Sequence, residues 1–338
     1  MPANGAVPLK IVLLGGGTGS FELLLGLKEL TPDITAVVNM CDDGGSTGRL
    51  RAEYGVLPPG DVRQCLVALG RDQEQADLFS YRFDKGSLAG HAAGNLILAA
   101  LEIEHNSFAV AVEIASHMLA VTGRVVPVSL EDHGLVMQDG TKTIRGQEAV
   151  RLHTTSNRDV VVKLEPVARL NPLAARAIHD ADIVVIAPGG LYWTLLPMCA
   201  VRGVSEALQT TTATVFCVAN LMNRPEQHQD WHVVDYIREF ERYIGEGTID
   251  TVLYNTQPMS SELLANYAMA HEEPVATNMA RFSELQTSAI GAELIADAPA
   301  RQDAADHAIR RTLIRHDGRK VAKEIIRLYH KAKAKRAK

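Results

Sequence analysis

KIVLLGGGTGSFELLLGLKEL, residues 10–30, changes character twice within its length. The apolar run Leu9–Leu14 has the length and composition of a buried strand, Gly15-Gly16-Gly17-Thr18-Gly19 carries almost no side-chain bulk, and from Ser20 the apolar residues recur at helical spacing. Strand, glycine turn and helix are then followed by Thr31-Pro32-Asp33 and a second β-branched run, Ile34–Val38. That order is a β-α-β unit, whose parallel strands are covered on both faces. The fold class is α/β, with a doubly wound, mostly parallel sheet.

Outward from this unit the rhythm continues. Asn39–Gly48 reads as a polar loop, and Pro58-Pro59-Gly60 precedes a helix that Asp61 is placed to cap. Gly90-His91-Ala92-Ala93-Gly94-Asn95 opens the apolar helix LILAALEI, and Phe108–Ala120 reads as another helix. From Arg124 to Glu165 short β-type runs alternate with polar turns, which predicts a small β-rich antiparallel insertion over about 124–165. The α/β alternation then resumes: helix Pro172–His179, strand Asp182–Ile186 with the turn Pro188-Gly189-Gly190, strand Thr214–Val218 with the exit loop Asn220–Asn223, helix Trp231–Tyr243, strand Thr251–Tyr254 and helix Ser261–Ala270. We read residues 9–300 as one domain. Residues 303–338 read as a basic C-terminal helical tail, with Ile309, Leu313, Ile325 and Leu328 on its apolar face and a break at Asp317-Gly318.

The whole chain of 338 residues is 46% hydrophobic and carries a net charge of −6, which excludes a disordered scaffold and a whole-surface polyanion binder. The tail is the exception: Arg310–Lys338 holds 12 basic residues against Asp317 and Glu324. A protein or polyanion partner, or a homo-oligomer contact, is expected through that face, with a solvated helix as the alternative. The 4 cysteines form no C-x-x-C pair and no disulfide framework. No run of about 18 apolar residues exists, so no membrane span is expected, and the N-terminus has no charged-then-apolar leader. These features point to the cytoplasm.

Ligands of open parallel sheets sit beyond the carboxyl ends of the strands, and the chemically suggestive motifs fall there. The turn Gly15–Gly19 lets backbone N–H groups and a helix dipole converge on an anion. It lacks the lysine of a P-loop, and Ser20 stands where a dinucleotide fingerprint has its third glycine. Asp42 and Asp43, in Asn39-Met40-Cys41-Asp42-Asp43-Gly44-Gly45-Ser46-Thr47-Gly48-Arg49, are suited to Mg²⁺, which takes one or two carboxylates and fills its shell with water and phosphate oxygens. A local Asx-type turn is the competing reading. Asp61 is open to three roles, helix cap, metal ligand or general base, while Arg63 could pair with phosphate. His91, between glycines, could polarise a phosphoryl oxygen or simply serve the turn. Tyr192 and Trp193 could stack on a base or belong to the core. Asn220 and Asn223 have amides able to read a base edge. His228 and His232 have metal spacing on a helix but lack the glutamate of H-E-x-x-H, and their surroundings read as surface. Cys41, beside two acids, is a poor nucleophile and reads as buried.

The order of KIVLLGGGTGS, VVNMCDDGGSTGRLR, GVLPPGDVRQCLVAL, GHAAGN, VIAPGGLYWTLLP and VANLMNRPEQ resembles the bacterial gluconeogenesis factor family, relatives of the 2-phospho-L-lactate transferases of deazaflavin coenzyme synthesis. The likeness runs from Leu9 to Pro274. It implies a Rossmann-like α/β fold. For the gluconeogenesis factor branch it implies binding of UDP-sugars such as UDP-N-acetylglucosamine, with a role in cell shape and wall-precursor control. For the transferase branch it implies Mg²⁺-assisted attack of a deazaflavin alcohol on a nucleotide-linked phospholactate. The positions that match as the nucleotide-diphosphate site are Gly15, Gly16, Gly17, Thr18, Gly19, Asp42, Asp43, Gly44, Gly45, Ser46, Asp61, Arg63, His91, Asn95, Pro188, Gly189 and Asn220. The chain departs from the family pattern at Ser20-Phe21, Gly190 and Asn223-Arg224.

Three functions are thus weighed. The first is a UDP-sugar binding regulator without turnover. The second is a Mg²⁺-dependent transferase in which Asp42 and Asp43 hold the metal and Asp61 or His91 moves a proton. The third is a nicotinamide oxidoreductase, which the position of Asn39, where an acidic ribose reader is needed, disfavours.

Overall fold

The computed structural model describes residues 7–155, 157–228, 230–297 and 314–336. In chain order the first half comprises β1 (Ile11–Gly15), α1 (Gly17–Leu27), β2 (Ile34–Val38), α2 (Gly45–Tyr54), α3 (Gly60–Leu69), α4 (Gln73–Ser80), α5 (Ala93–His105), α6 (Phe108–Met118), β3 (Arg124–Pro127), β4 (Gly134–Asp139), β5 (Lys142–Arg145), α7 (Gln147–Leu152) and β6 (Val161–Glu165). The second half comprises α8 (Pro172–Asp180), β7 (Ile183–Ile186), a π-helical turn at Leu191–Leu195, α9 (Leu196–Cys199), α10 (Val204–Thr210), β8 (Thr214–Val218), β9 (Met222–Asn223), α11 (Val233–Ile244), β10 (Thr251–Asn255), α12 (Ser261–Ala268), β11 (Glu273–Pro274), a 3₁₀ turn at Met279–Glu284, β12 (Ser288–Ala292) and α13 (Gly318–Arg336).

Seven strands form one parallel sheet in the order β12-β10-β8-β7-β1-β2-β3. Every residue of β1, β2, β7 and β8 is buried, which is why these strands read as continuous apolar runs rather than alternating ones. The chain builds outward from β1 to β3, then returns to place β7 on the other side of β1. Strand order therefore reverses between β1 and β7, and the crevice of a doubly wound sheet lies beyond their carboxyl ends.

The β-rich insertion is present but narrower than its expected span. Arg124–Pro127 pairs in parallel with β2 as the edge of the main sheet, and the antiparallel part is the three-stranded sheet β5-β4-β6, which starts at Gly134. Four residues are too few for periodicity to distinguish a parallel edge from a hairpin strand.

The C-terminal helix is docked on the body. Val321, Ala322 and Ile325 are buried, Leu328 is half-buried, and Gly26 of α1 meets Gly318 so closely that a Cβ on Gly26 would lie 2.1 Å from the Gly318 carbonyl oxygen. Arg315 pairs with Glu22 at 2.9 Å and the Tyr329 hydroxyl donates to Asp182 at 3.2 Å. The helix begins at the expected break; Ile309 and Leu313 lie outside the described residues.

Candidate functional site

The site is built where helix N-termini gather around the crevice. Gly16 caps α1, and Gly17 has φ +65°, a left-handed conformation that suits glycine. A Cβ on Gly19 would lie 1.9 Å from the Pro188 carbonyl oxygen, so the turns after β1 and β7 touch backbone to backbone. Between them lies a cavity of about 270 Å³ lined by Gly16–Gly19, Pro188–Gly190, Trp193, Thr194, Asn220 and Leu221 on the sheet side. Gly15 ends β1 behind the turn, buried.

Asp61 does not cap α3. Pro59 is the capping residue, and the Asp61 carboxyl instead presses on the α1 turn, with Oδ2 only 2.4 Å from where a Gly16 Cβ would stand, and accepts from the Gly17 N–H. Burial first, and the Asp42 carboxyl second, push its pKa up to about 7, against the Gly17 N–H and the nearby Arg63. Asn39, at 1% exposure, lies against the same carboxyl without a well-aligned hydrogen bond, and neither of its polar atoms is satisfied. Burial also raises the Asp42 pKa, opposed by Thr47 and by the Gly44 N–H, which donates to Asp42 Oδ1 at 3.1 Å. Gly44 caps α2 and Gly45 is its first residue.

Asp43 faces away from this pair. Its oxygens accept from the Gln147 and Glu148 N–H groups, each at 2.8 Å, which ties the aspartate loop to the start of α7 in the insertion. Asp42 nonetheless interacts with both neighbours: its charge raises the Asp61 pKa, and the Asp43 charge raises its own. Among the described residues no group of three or more His, Cys, Asp or Glu side chains could hold a metal by itself.

Beside the aspartates, α2, α3 and α5 contribute one buried polar chain. Arg63 Nε donates to Asn95 Oδ1 at 3.0 Å, Asn95 Nδ2 donates to Ser46 Oγ at 3.1 Å, and Ser46 Oγ is 3.0 Å from His91 Nδ1. All four residues are buried, and burial followed by the Arg49 charge lowers the His91 pKa. The expected residues Ser46, Arg63, His91 and Asn95 are thus brought together by the tertiary structure.

Several expectations need correction. Asn220 lines the cavity with its amide engaged by the neighbouring turn: its Oδ1 accepts from the Gly189 N–H and its Nδ2 donates to the Gly189 carbonyl, both at 2.9 Å. Asn223 donates to the Trp231 carbonyl and accepts from Tyr236. Both amides hold local backbone and side-chain partners at the β8 exit. Tyr192 is fully buried and its hydroxyl pairs with His228 Nε2, so it belongs to the core, whereas Trp193 does line the crevice. His228 and His232 are buried rather than superficial, and His232 caps α11 instead of sharing a helix face with His228. Cys41 is buried and burial pushes its thiol far up.

Sequence reading missed Arg151, Arg224, Arg315 and His316, which line the same cavity from the insertion, the β8 exit and the C-terminal segment. Arg151 is paired with Glu148, Arg224 with Glu272 and Arg315 with Glu22. His316 is buried, with its pKa pushed down to about 4 by that burial and its Nε2 without a partner. The available signals were the basic run Arg310–Lys338, which contains Arg315, and the departure at Asn223-Arg224, neither of which placed these residues at the cavity.

Comparison with known proteins agrees with this architecture. The pattern of the family described as 2-phospho-L-lactate transferase CofD matches residues 11–295. A Thermotoga maritima relative is 39% identical over 325 residues, covering 95% of this chain and 99% of that one. The gluconeogenesis factor of Bacillus subtilis is 34% identical over 330 residues, covering 94% of this chain and 98% of its own. A solved structure from Bacillus halodurans, the UPF0052-family protein BH3568, superposes with a TM-score of 0.86 at 32% identity, covering 95% of this chain and all of that one. Among the described residues no helix is long and apolar enough to cross a membrane.

Proposed function

The chain belongs to the CofD family and, within it, to the gluconeogenesis factors, and from that membership we propose that it binds a nucleotide diphosphate sugar of the UDP-N-acetylglucosamine type and acts as a regulator of cell shape and wall-precursor metabolism. One observation carries the reading: the glycine turns after β1 and β7 meet backbone to backbone at the strand-order reversal, over a 270 Å³ cavity lined by the Thr18 and Gly19 backbone and edged by Arg151, Arg224 and Arg315. The first N–H groups of a helix have no intrahelical partners and favour an anion, so a diphosphate is the fitting occupant. Trp193 offers a ring to the remainder of the ligand.

Mg²⁺ fits the same corner. Two buried carboxyls, Asp42 and Asp61, lie there, the Asp42 charge raises the pKa of Asp61, and a dication shared with diphosphate oxygens and water would relieve that repulsion. Asp43 would support the loop rather than supply the shared charge.

The test is thermal unfolding with UDP-N-acetylglucosamine, GDP and NAD, each with and without Mg²⁺. Ligand at 100 times its dissociation constant stabilises the native state by about 2.7 kcal/mol. A rise selective for the UDP-sugar is expected, and the absence of any rise with phosphorylated ligands overturns the reading.

A second reading has its own observation. Asp61, with a pKa pushed up to about 7, is able to take or give a proton near neutrality. In a transferase the alcohol oxygen of a deazaflavin would attack the phosphorus of a nucleotide-linked phospholactate, the bond to the nucleoside monophosphate would break, and Asp61 would take the alcohol proton. A larger Mg²⁺-dependent rise with GDP, together with release of nucleoside monophosphate on mixing both substrates, would favour this reading.

A further inference from the structure

We propose that Asp43 is a positioning residue for anion binding: by capping α7 from across the fold it holds the Arg151 guanidinium at the crevice wall, where Arg151 donates to the diphosphate. The inference rests on the diphosphate reading for its ligand, while the hold on α7 follows from the protein alone.

The helix α7 depends on that outside contact. With 6 residues it is too short to persist by itself. Its own capping residue, Gly146, has no side chain to offer, and the N–H groups of Gln147 and Glu148 that lead the helix donate instead to the two oxygens of Asp43, each at 2.8 Å. A carboxylate at that end is also favoured by the helix dipole. Gly146 is required twice over: its φ of +96° favours glycine, and a Cβ there would stand 2.7 Å from Asp43 Oδ2. Gln147 and Val150 are buried beneath, and α7 packs against the π-helical turn that carries Trp193.

One turn on from the capped N–H groups is Arg151, the residue through which α7 lines the crevice cavity. Glu148 grips its Nε and Nη2 in a fork, at 2.8 Å and 2.5 Å. The Glu148 carboxylate in turn lies against the aspartate loop, with Oε2 3.2 Å from where a Cβ on Gly44 would stand. The fork uses one N–H on each of those nitrogens, so the two on Nη1 remain, and among the described residues no acceptor takes them. Arg151 thus brings unspent donors and a positive charge to a cavity that the Gly16–Gly19 turn also lines. Asp43 acts on the ligand only through Arg151.

The test is a double-mutant cycle on the full-length protein, read by calorimetric titration with inorganic pyrophosphate and with UDP, each with Mg²⁺ and with EDTA. Arg151→Leu should weaken both probes by about tenfold, the scale of a lost hydrogen bond to a charged group. Asp43→Ala, which leaves Arg151 present but unsupported, should weaken them about threefold or more, and in the Arg151→Leu background it should cost less than about twofold further. The losses should be alike with Mg²⁺ and with EDTA. Hydrogen exchange without ligand reads the hold itself: the amides of α7 should exchange faster in Asp43→Ala than in wild type. Gly146→Ala disturbs the same contact from the other side with Asp42 and Asp43 intact, and should reproduce both the faster exchange and the weaker binding.

Losses that multiply in the double variant overturn the positioning role, because Asp43 would then act on the ligand by itself. A loss in Asp43→Ala that appears only with Mg²⁺ overturns it in favour of a metal ligand. Unchanged exchange over α7 in folded Asp43→Ala shows that the cap holds nothing and overturns it as well. Binding by Arg151→Leu equal to wild type overturns the anion role of Arg151. If wild type binds neither probe, the diphosphate reading fails and that anion role with it, while the exchange still decides the hold on α7. Should Asp43→Ala not fold, Gly146→Ala, alone and combined with Arg151→Leu, carries the cycle in its place.

Discussion

The two edges of the parallel sheet make an instructive contrast. The amino edge has the larger cavity, about 630 Å³, lined by residues such as Gln209, Thr211, Thr248 and Asp250. Its polar side chains are used by the protein itself: Gln209 donates to the Ile244 carbonyl, Thr211 to the Ile178 carbonyl, Thr248 to the Ile244 carbonyl, and Asp250 accepts from the Val215 N–H. The carboxyl edge has the smaller cavity of about 270 Å³, but there Asn39 and His316 keep buried polar atoms unsatisfied and Asp61 sits with a pKa near 7. Volume alone does not mark a site. The carboxyl edge combines unsatisfied polar atoms, a raised carboxyl and glycine turns at helix starts, whereas Glu239, equally raised and with an unsatisfied oxygen, stands on α11 without such turns.

The largest effect should come from deleting residues 319–338. This helix spans the contrast, since Arg315 just before it faces the crevice while Tyr329 bonds to Asp182 at the start of β7. Exposing the surface that covers Val321, Ala322 and Ile325 should cost several kcal/mol and lower the melting temperature by on the order of 10 °C. Calorimetry that finds the shortened chain equally stable would show that the helix is a solvated appendage.

Next is Asp61→Asn, which tests whether the carboxyl edge is destabilised by its own charge. A carboxyl whose pKa rises on folding binds its proton more tightly in the native state, so its contribution to stability falls as pH rises from about 4 to about 7. The variant should gain on the order of a few kcal/mol over wild type at pH 8, with the gain vanishing near pH 4. His228 and His316, both held down to about 4 by burial, oppose this trend by making stability rise from that pH to about 6.5, so the quantity to follow in denaturant titrations is variant minus wild type. No pH dependence in that difference would remove the charge argument.

A smaller effect is expected of Asn220→Ala, which deletes two hydrogen bonds to Gly189. It should cost about 1–3 kcal/mol in urea unfolding and weaken the stabilisation by UDP-N-acetylglucosamine by loosening the turn. Unchanged stability with unchanged ligand response would mean that the Pro188–Gly190 turn holds itself. The smallest is Thr212→Ala in the amino-edge cavity, where neither stability nor ligand response should move measurably. A lost UDP-sugar response there would reverse the contrast between the edges.

The sequence alone determined the strand, glycine turn and helix around residues 10–30, the parallel α/β class and the motifs at the strand ends. Buried parallel strands and helix starts leave local signatures, continuous β-branched runs and clustered glycines, that need no knowledge of distant contacts. It did not determine that Arg124–Pro127 joins the main sheet, that Asp61 turns away from its own helix, or that Asp43 holds the insertion while Asp42 faces Asp61. Nor could it assign Asn220 to Gly189, or bring Arg315 and His316 to the crevice from the far end of the chain. Each of these depends on which partner a polar side chain finds across a gap of tens to hundreds of residues. A motif shows that a carboxyl or amide is present, but only the packed fold decides whether its hydrogen-bonding capacity is used up internally or left open for a ligand.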